Sequence, residues 1–214
     1  MPRKPIVRSN QHYYHIVARS NNQEYFYLSS QETWQMMTGK LSELQKKFDL
    51  EIGAFVLMNN HFHLLILSPK EDIDRVMYFF MKEVTLSIQK RTKRINKIFG
   101  GRYKGCIIEH QNYLMNVFKY IYRNPVAAGI TDKAENYPYS TLFYQLNSLT
   151  QQPFELTRLF GHDVESLLPW LNASFKEEEA QSIKSGLRKS VFDFKKDRTT
   201  GRVIEPGFFN ELLT

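Results

Sequence analysis

The chain has 214 residues, of which 42% are hydrophobic and 14% aromatic, and a formal net charge of +7. That composition suits one principal domain with an appendage, or two small domains, and excludes an intrinsically disordered chain. The single cysteine, Cys106, excludes an internal disulfide; MPRKPIVRSN lacks the apolar segment of a signal peptide, and no apolar run approaches the roughly 18 residues of a membrane span, so a soluble, cytoplasmic protein is expected.

Residues 12–19 (HYYHIVAR), aromatic and β-branched and closed by Ser20-Asn21-Asn22, read as a first strand. Ser29 followed by Glu32 has the form of a capping box, and Trp34, Met37, Leu41, Leu44 and Phe48 recur at helical spacing, which predicts a helix with one buried stripe. Residues 51–58 (EIGAFVLM) and 61–68 (HFHLLILS) are apolar runs joined by Asn59-Asn60 and closed by Pro69, the pattern of a tight hairpin. From residue 72 to about residue 98, Ile73, Met77, Phe80, Val84 and Ile88 keep helical spacing. Gly100-Gly101 breaks that helix, residues 102–109 (RYKGCIIE) are strand-like, and a helix capped by Asn112 is expected to run to Asn124, where Pro125 forbids simple continuation.

After about Ser140 the pattern weakens, with residues 165–170 and 177–187 helical and a basic tail holding Lys184, Arg188, Lys189, Lys195, Lys196, Arg198 and Arg202. The element order predicts an α+β, ferredoxin-like antiparallel sheet with helices on one face, to which the last helix is an addition. The expected division is a domain over residues 1–145 and a mostly helical, basic extension over residues 146–214.

Charge is concentrated in one window. Residues 82–104 hold Lys82, Lys90, Arg91, Lys93, Arg94, Lys97, Arg102 and Lys104 against Glu83 alone, a surplus equal to that of the whole chain. Tyr78, Phe79 and Phe80 precede this window, and Phe99 and Tyr103 lie inside it. Cations that neutralise phosphates beside rings that stack on bases form a single-stranded nucleic-acid groove, although a solvated helix face would carry the same charges.

In LMNNHFHLLIL, His61 and His63 are alternate residues of one expected strand. Such residues point the same way with Cα atoms about 6.5 Å apart, so two imidazoles can converge on one cation; ordinary histidines on a half-exposed sheet would have the same spacing. In NYLMNVFKYIYRN, Tyr113, Val117, Tyr120 and Asn124 share one helix face, and Leu114, Phe118 and Ile121 form a core-facing stripe opposite. An amide oxygen can complete a metal site begun by two histidines, and a phenol beside such a site is a candidate nucleophile. His12, His15, His110 and His162 have no constellation around them and are assigned structural roles.

The blocks YHIVARSNN, VLMNNHFHLLI, GGRYKG, YLMNVFKYIYRNPVAAGI and NYPYST, in this order over residues 12–145, resemble the REP-associated tyrosine transposases of the HUH single-strand transposase group. The resemblance implies a histidine-hydrophobic-histidine metal motif, matched by His61-Phe62-His63, and a catalytic tyrosine with a carboxamide ligand four residues later, matched by Tyr120 and Asn124. The chain departs from the family at Asn59-Asn60, where Pro-Asn is usual, and at Tyr139-Ser140-Thr141, where Trp-Ser-Ser is usual. The second departure leaves target recognition open, and nothing is carried beyond residue 145.

The implied activity is cleavage and rejoining of single-stranded DNA near a hairpin, dependent on Mg2+ or Mn2+ and passing through a 5′-phosphotyrosine. The competing readings are a domesticated DNA-binding protein without turnover and a metal hydrolase in which water attacks. The expected partner is single-stranded or hairpin DNA, with no membrane, bound by a monomer or homodimer. The expected DNA contacts are Lys82, Lys90, Arg91, Lys93, Arg94, Lys97, Arg102, Tyr103 and Lys104, and Tyr113 and Tyr122 are the reserve nucleophiles. A tyrosine of ordinary pKa is only about 0.1% ionised at neutral pH, so its activation must supply roughly 4 kcal/mol.

Overall fold

The expected hairpin forms around Asn59-Asn60 in the computed structural model, which describes residues 7–70, 72–147, 152–161, 163–197 and 199–206. Strands β2 (Glu51–Leu57) and β3 (His61–Leu67) pair antiparallel, and the Met58 amide donates to the His61 carbonyl at 2.8 Å. With β1 (Tyr13–Arg19) and β4 (Lys104–Ile108) they make one antiparallel sheet in the order β2-β3-β1-β4. A bulge at Gly53 re-phases β2, and the side chain of Leu159 occupies the place a Cβ would take there, 2.6 Å away.

Period-two alternation gives the sheet two faces. Tyr14, Ile16, Ala18, Phe55, Phe62, Leu64 and Ile66 face α1 (Ser30–Phe48) and α2 (Ile73–Thr92), which pack together on one side. Helix α1 opens with both hydrogen bonds of the Ser29/Glu32 capping box, and its stripe Trp34, Met37, Leu41, Leu44 and Phe48 is buried.

The helix expected to reach about residue 98 instead ends at Thr92, with Lys93 left-handed at φ 55°. The Thr92 hydroxyl donates back to the Ile88 carbonyl, and the following loop turns inward so that Phe99 packs edge-on to Phe26 and Phe62. Burial of Ile98 and Phe99 thus overrides helical continuation.

The opposite face is covered by α3 (Gln111–Ala127), with α4 (Thr141–Leu146), α5 (Leu168–Asn172) and α6 (Glu177–Gly186) following it. Leu167, Leu171, Ile183, Phe192 and Phe194 of the extension are buried in the same cluster as Val117 and Ile121 of α3. Helix α3 is therefore enclosed by the sheet and by the extension, rather than presenting the single apolar stripe its periodicity predicts; even Lys119 is buried, its ammonium lying over the Trp170 and Phe175 rings. No helix among the described residues is long and apolar enough to cross a membrane.

One buried polar link ties α3 and α4 to β2. The Phe55 amide donates to Thr141 Oγ1 at 3.0 Å, and the Thr141 and Tyr122 hydroxyls share a 2.8 Å hydrogen bond. Thr141→Val keeps the shape but strands both partners, and is expected to cost about 1–3 kcal/mol. The midpoint of urea denaturation measures this; an unchanged midpoint would show that packing alone holds the joint.

Candidate active site

Three imidazoles meet on the face covered by α3. His61 and His63 reach it from β3 and His15 from β1, where the backbone partner of His63 is Val17 and that of His61 is Arg19. The His61 and His63 ring centroids are 5.0 Å apart with planes at 77°. His15 stacks on His63 at 5.1 Å, and its Nε2 lies 2.9 Å from His63 Nδ1. His15, assigned a structural role from sequence, is thus part of the constellation.

Hydrogen bonding determines which nitrogens keep a lone pair. Asn60 Nδ2 donates to the Gln23 carbonyl, which orients Asn60 Oδ1 as the acceptor for His61 Nδ1 at 2.7 Å. His61 therefore carries its proton on Nδ1 and its lone pair on Nε2. His63 Nε2 is buried with no hydrogen-bond partner. Of its two neutral tautomers, only the one in which Nδ1–H donates to His15 leaves a lone pair at that orphan nitrogen.

Burial keeps all three rings neutral. It lowers His15 to about 3, helped by His61, and His61 to about 4, helped by the Arg19 guanidinium. His63 falls well below the usual imidazole value through burial and then through His15, His61 and Arg19. In that tautomer two unprotonated nitrogens, His61 Nε2 and the otherwise unsatisfied His63 Nε2, fit the donor set of a divalent metal. Among the described residues no three His, Cys, Asp or Glu side chains make a closed cage, so further donors must be of other types.

Helix α3 supplies the neighbours. The Tyr120 ring stands edge-on to His63 at 5.9 Å and to His15 at 6.3 Å. The helix does not stop at Asn124 as its sequence predicts: Pro125 lies within the last turn, which runs to Ala127. Proline brings no N–H to the Ile121 carbonyl, and Asn124 Nδ2 takes its place, donating to the Tyr120 carbonyl at 2.7 Å and to that of Ile121 at 3.4 Å. The amide nitrogen is thereby committed to the helix, and Oδ1 is the atom left for a ligand.

Burial pushes the Tyr120 phenol above its usual pKa, while the Arg188 guanidinium and the Asn124 carboxamide act in the opposite direction. The reserve phenols are elsewhere: Tyr122 is buried and bonded to Thr141, and Tyr113 packs against His110, Phe192 and Phe194.

The expected DNA-contacting residues divide. Lys82, Lys90, Arg91, Lys93, Lys97 and Lys104 are exposed. Arg94 is engaged by the Tyr27 ring, 3.7 Å from its guanidinium, and Arg102 by an ion pair with Asp74. Tyr103 is only 5% exposed and its hydroxyl donates to Asp74, and Phe99 is 7% exposed, so of the rings in and beside the basic window Tyr78, 61% exposed, is open to a base. Tyr78 lines a cavity of about 550 Å³ with Met77, Met81, Leu86 and Phe99. The Gly100 amide donates to the Arg19 carbonyl and the Asn21 amide to that of Ile98, which brings the basic loop to the His61 end of the sheet.

The sequence profile of the family described as IS200-like transposases matches residues 8–124, a span holding His15, His61, His63, Tyr120 and Asn124. The chain belongs to the IS200-like transposase family. Within it, 106 residues are 27% identical to a provisionally named REP-associated tyrosine transposase of Haemophilus influenzae, covering 44% of this chain and 60% of that protein. The chain thus matches about three fifths of the length of this curated relative. The fold is similar to a solved REP-associated tyrosine transposase bound to a REP hairpin, with TM-score 0.58 and 18% identity over 77% of this chain and 96% of the other.

The neutral imidazoles impose a pH dependence on the metal-free protein. Their folded pKa values lie below the ordinary value of 6.5, so on acidification the unfolded chain takes up protons first and stability falls as pH drops from 6.5 towards about 4. His61→Ala is expected to flatten part of that slope, read as denaturation midpoint against pH. Parallel curves for the two proteins would place the acid sensitivity elsewhere.

Proposed function

We propose that the chain cuts and rejoins single-stranded DNA beside a hairpin, with Tyr120 as the nucleophile. One observation carries this: the Tyr120 ring stands 5.9 Å from His63, whose Nε2 is buried without a partner. Family membership, and the REP hairpin bound by the structural neighbour, support a hairpin DNA substrate. His61 and His63 through Nε2 and Asn124 through Oδ1 would hold a divalent metal, Mg2+ or Mn2+. Such an ion, when bound, supplies positive charge to the scissile phosphate, and three neutral ligands leave that charge undiminished. By donor type, the nitrogen-rich set favours manganese.

The chain's own residues do the rest. Attack by Tyr120 Oη forms a Tyr–O–P bond to the 5′ phosphate and breaks the P–O3′ bond, and the phenolic proton ends on the released 3′-hydroxyl. One phosphodiester replaces another, so rejoining needs no nucleotide cofactor. His15 is a positioning residue: by accepting from His63 Nδ1–H it holds the tautomer whose Nε2 can ligate. Lys82, Lys90, Arg91, Lys93, Lys97 and Lys104 carry the strand's phosphates and Tyr78 stacks on a base, with Arg94, Arg102 and Tyr103 shaping the groove from their protein partners.

The test uses hairpin-flanked oligonucleotides labelled 3′ of the cut, incubated with manganese and run on a denaturing gel. Wild-type protein is expected to give a slow-migrating adduct that chelator abolishes; Tyr120→Phe should bind the DNA yet give none. A normal adduct in that variant removes Tyr120 from the role. Free nicked product without adduct indicates attack by water, and intact DNA with retained binding indicates a protein that only binds.

The part assigned to His15 is checked separately. His15→Phe keeps a ring against His63 but removes the hydrogen bond, and should weaken manganese affinity about 10–100-fold in calorimetric titration. Unaltered affinity would leave His15 with a packing role alone.

A further inference from the structure

The residues assigned above end at position 124, yet the extension closes over the same face. Helix α6 packs on α3 with Ser182 and Ile183 fully buried. The chain then lies along the free edge of β4: Cys106 Sγ reaches the Gly186 carbonyl at 3.6 Å, the Ile107 amide donates to the Ser190 carbonyl at 2.9 Å, and the Phe192 amide donates to the Ile107 carbonyl at 2.8 Å. The fit at Gly186 leaves no room for a side chain, since a Cβ would meet the Phe192 ring at 2.8 Å. Cys106 is the backbone partner of His15, whose ring is edge-on to Tyr120, so the segment is anchored one strand from the nucleophile.

Between those anchors stands Arg188. It is exposed, and among the described residues its side chain has neither a hydrogen bond nor an ion pair. Two nearby cations are committed: Lys189 pairs with Asp193, and Arg123 donates to the Leu171 and Asn172 carbonyls. Arg188 instead makes its charge felt at the Tyr120 phenol, where it opposes the effect of burial.

We propose that Arg188 is a catalytic residue whose guanidinium binds a non-bridging oxygen of the scissile phosphate as Tyr120 attacks. This rests on Tyr120 being the nucleophile. The planar fork of a guanidinium matches a phosphate in shape and charge. As the Tyr120 Oη–P bond forms and the P–O3′ bond breaks, Arg188 keeps its protons and donates to the oxygens on which charge builds, while the phenolic proton ends on the 3′-hydroxyl. Residue 188 lies outside the span matched by the family profile, so the extension supplies this cation in cis to the family core. The competing role is local: Arg188 follows the C-terminus of α6, where a cation complements the helix dipole.

Two readouts separate these roles. With manganese and excess protein, Arg188→Ala should form adduct about 100-fold more slowly with DNA affinity within about 3-fold of wild type, and Arg188→Lys should recover part of the rate. In a Tyr120→Phe background, neutral methylphosphonate linkages are placed one at a time through the single strand. One position should weaken binding about 3-fold more when Arg188 is present than in the Arg188→Ala protein. An adduct rate within about 2-fold of wild type overturns the proposal. So does the absence of any Arg188-dependent linkage, or a rate loss matched by a lower melting temperature and weaker binding. If wild-type protein forms no adduct yet shows that linkage, the tyrosine chemistry fails while Arg188 stands as a phosphate-binding residue.

Discussion

A buried imidazole with one bonded and one orphan nitrogen is the constraint around which this molecule is organised. His63 sits in the middle of the sheet, fastened by His15 on one side and bare on the other. An unsatisfied polar atom in the interior costs about 1–3 kcal/mol, a cost that ligation of a cation would remove. The sheet forces that arrangement: β1 lies beside β3, and the pairing of Val17 with His63 brings His15 diagonally across from it. The same burial that makes the orphan costly keeps the rings unprotonated, which suits them to bind a cation.

Helix α3 brings a phenol to that point because it is held from two sides. The sheet packs on one flank and the extension on the other, through Leu167, Leu171 and Ile183. Pro125 contributes indirectly. By withholding an amide from the Ile121 carbonyl it recruits Asn124 Nδ2 into the helix ladder, and a carboxamide that would otherwise rotate freely is oriented. A helix-breaking residue inside the last turn thus becomes part of the site's geometry rather than its boundary.

Much of this was legible locally. The hairpin at Asn59-Asn60, the capping box at Ser29 and the common face of His61 and His63 all depend on residues a few positions apart, where backbone geometry dictates side-chain direction. The end of α2 was not legible, because it is decided by Ile98 and Phe99 reaching a core built from distant segments. Tyr103 was read as a stacking ring from its place among cations, yet its hydroxyl is directed to Asp74, 29 positions earlier in the chain.

The sequence by itself determined the four strands and helices α1 to α3, the paired histidines, the tyrosine with its carboxamide four residues on, and the family whose motifs these resemble, since each is a pattern within one strand or one helix. Tertiary structure alone decided that His15 joins His63, that Tyr120 rather than Tyr113 or Tyr122 meets the imidazoles, and that Arg188 of the extension comes within electrostatic reach of that phenol. The physical reason is that neighbours within an element follow from backbone periodicity. Neighbours between elements follow from sheet order, register and the burial of apolar surface, which no local spacing records.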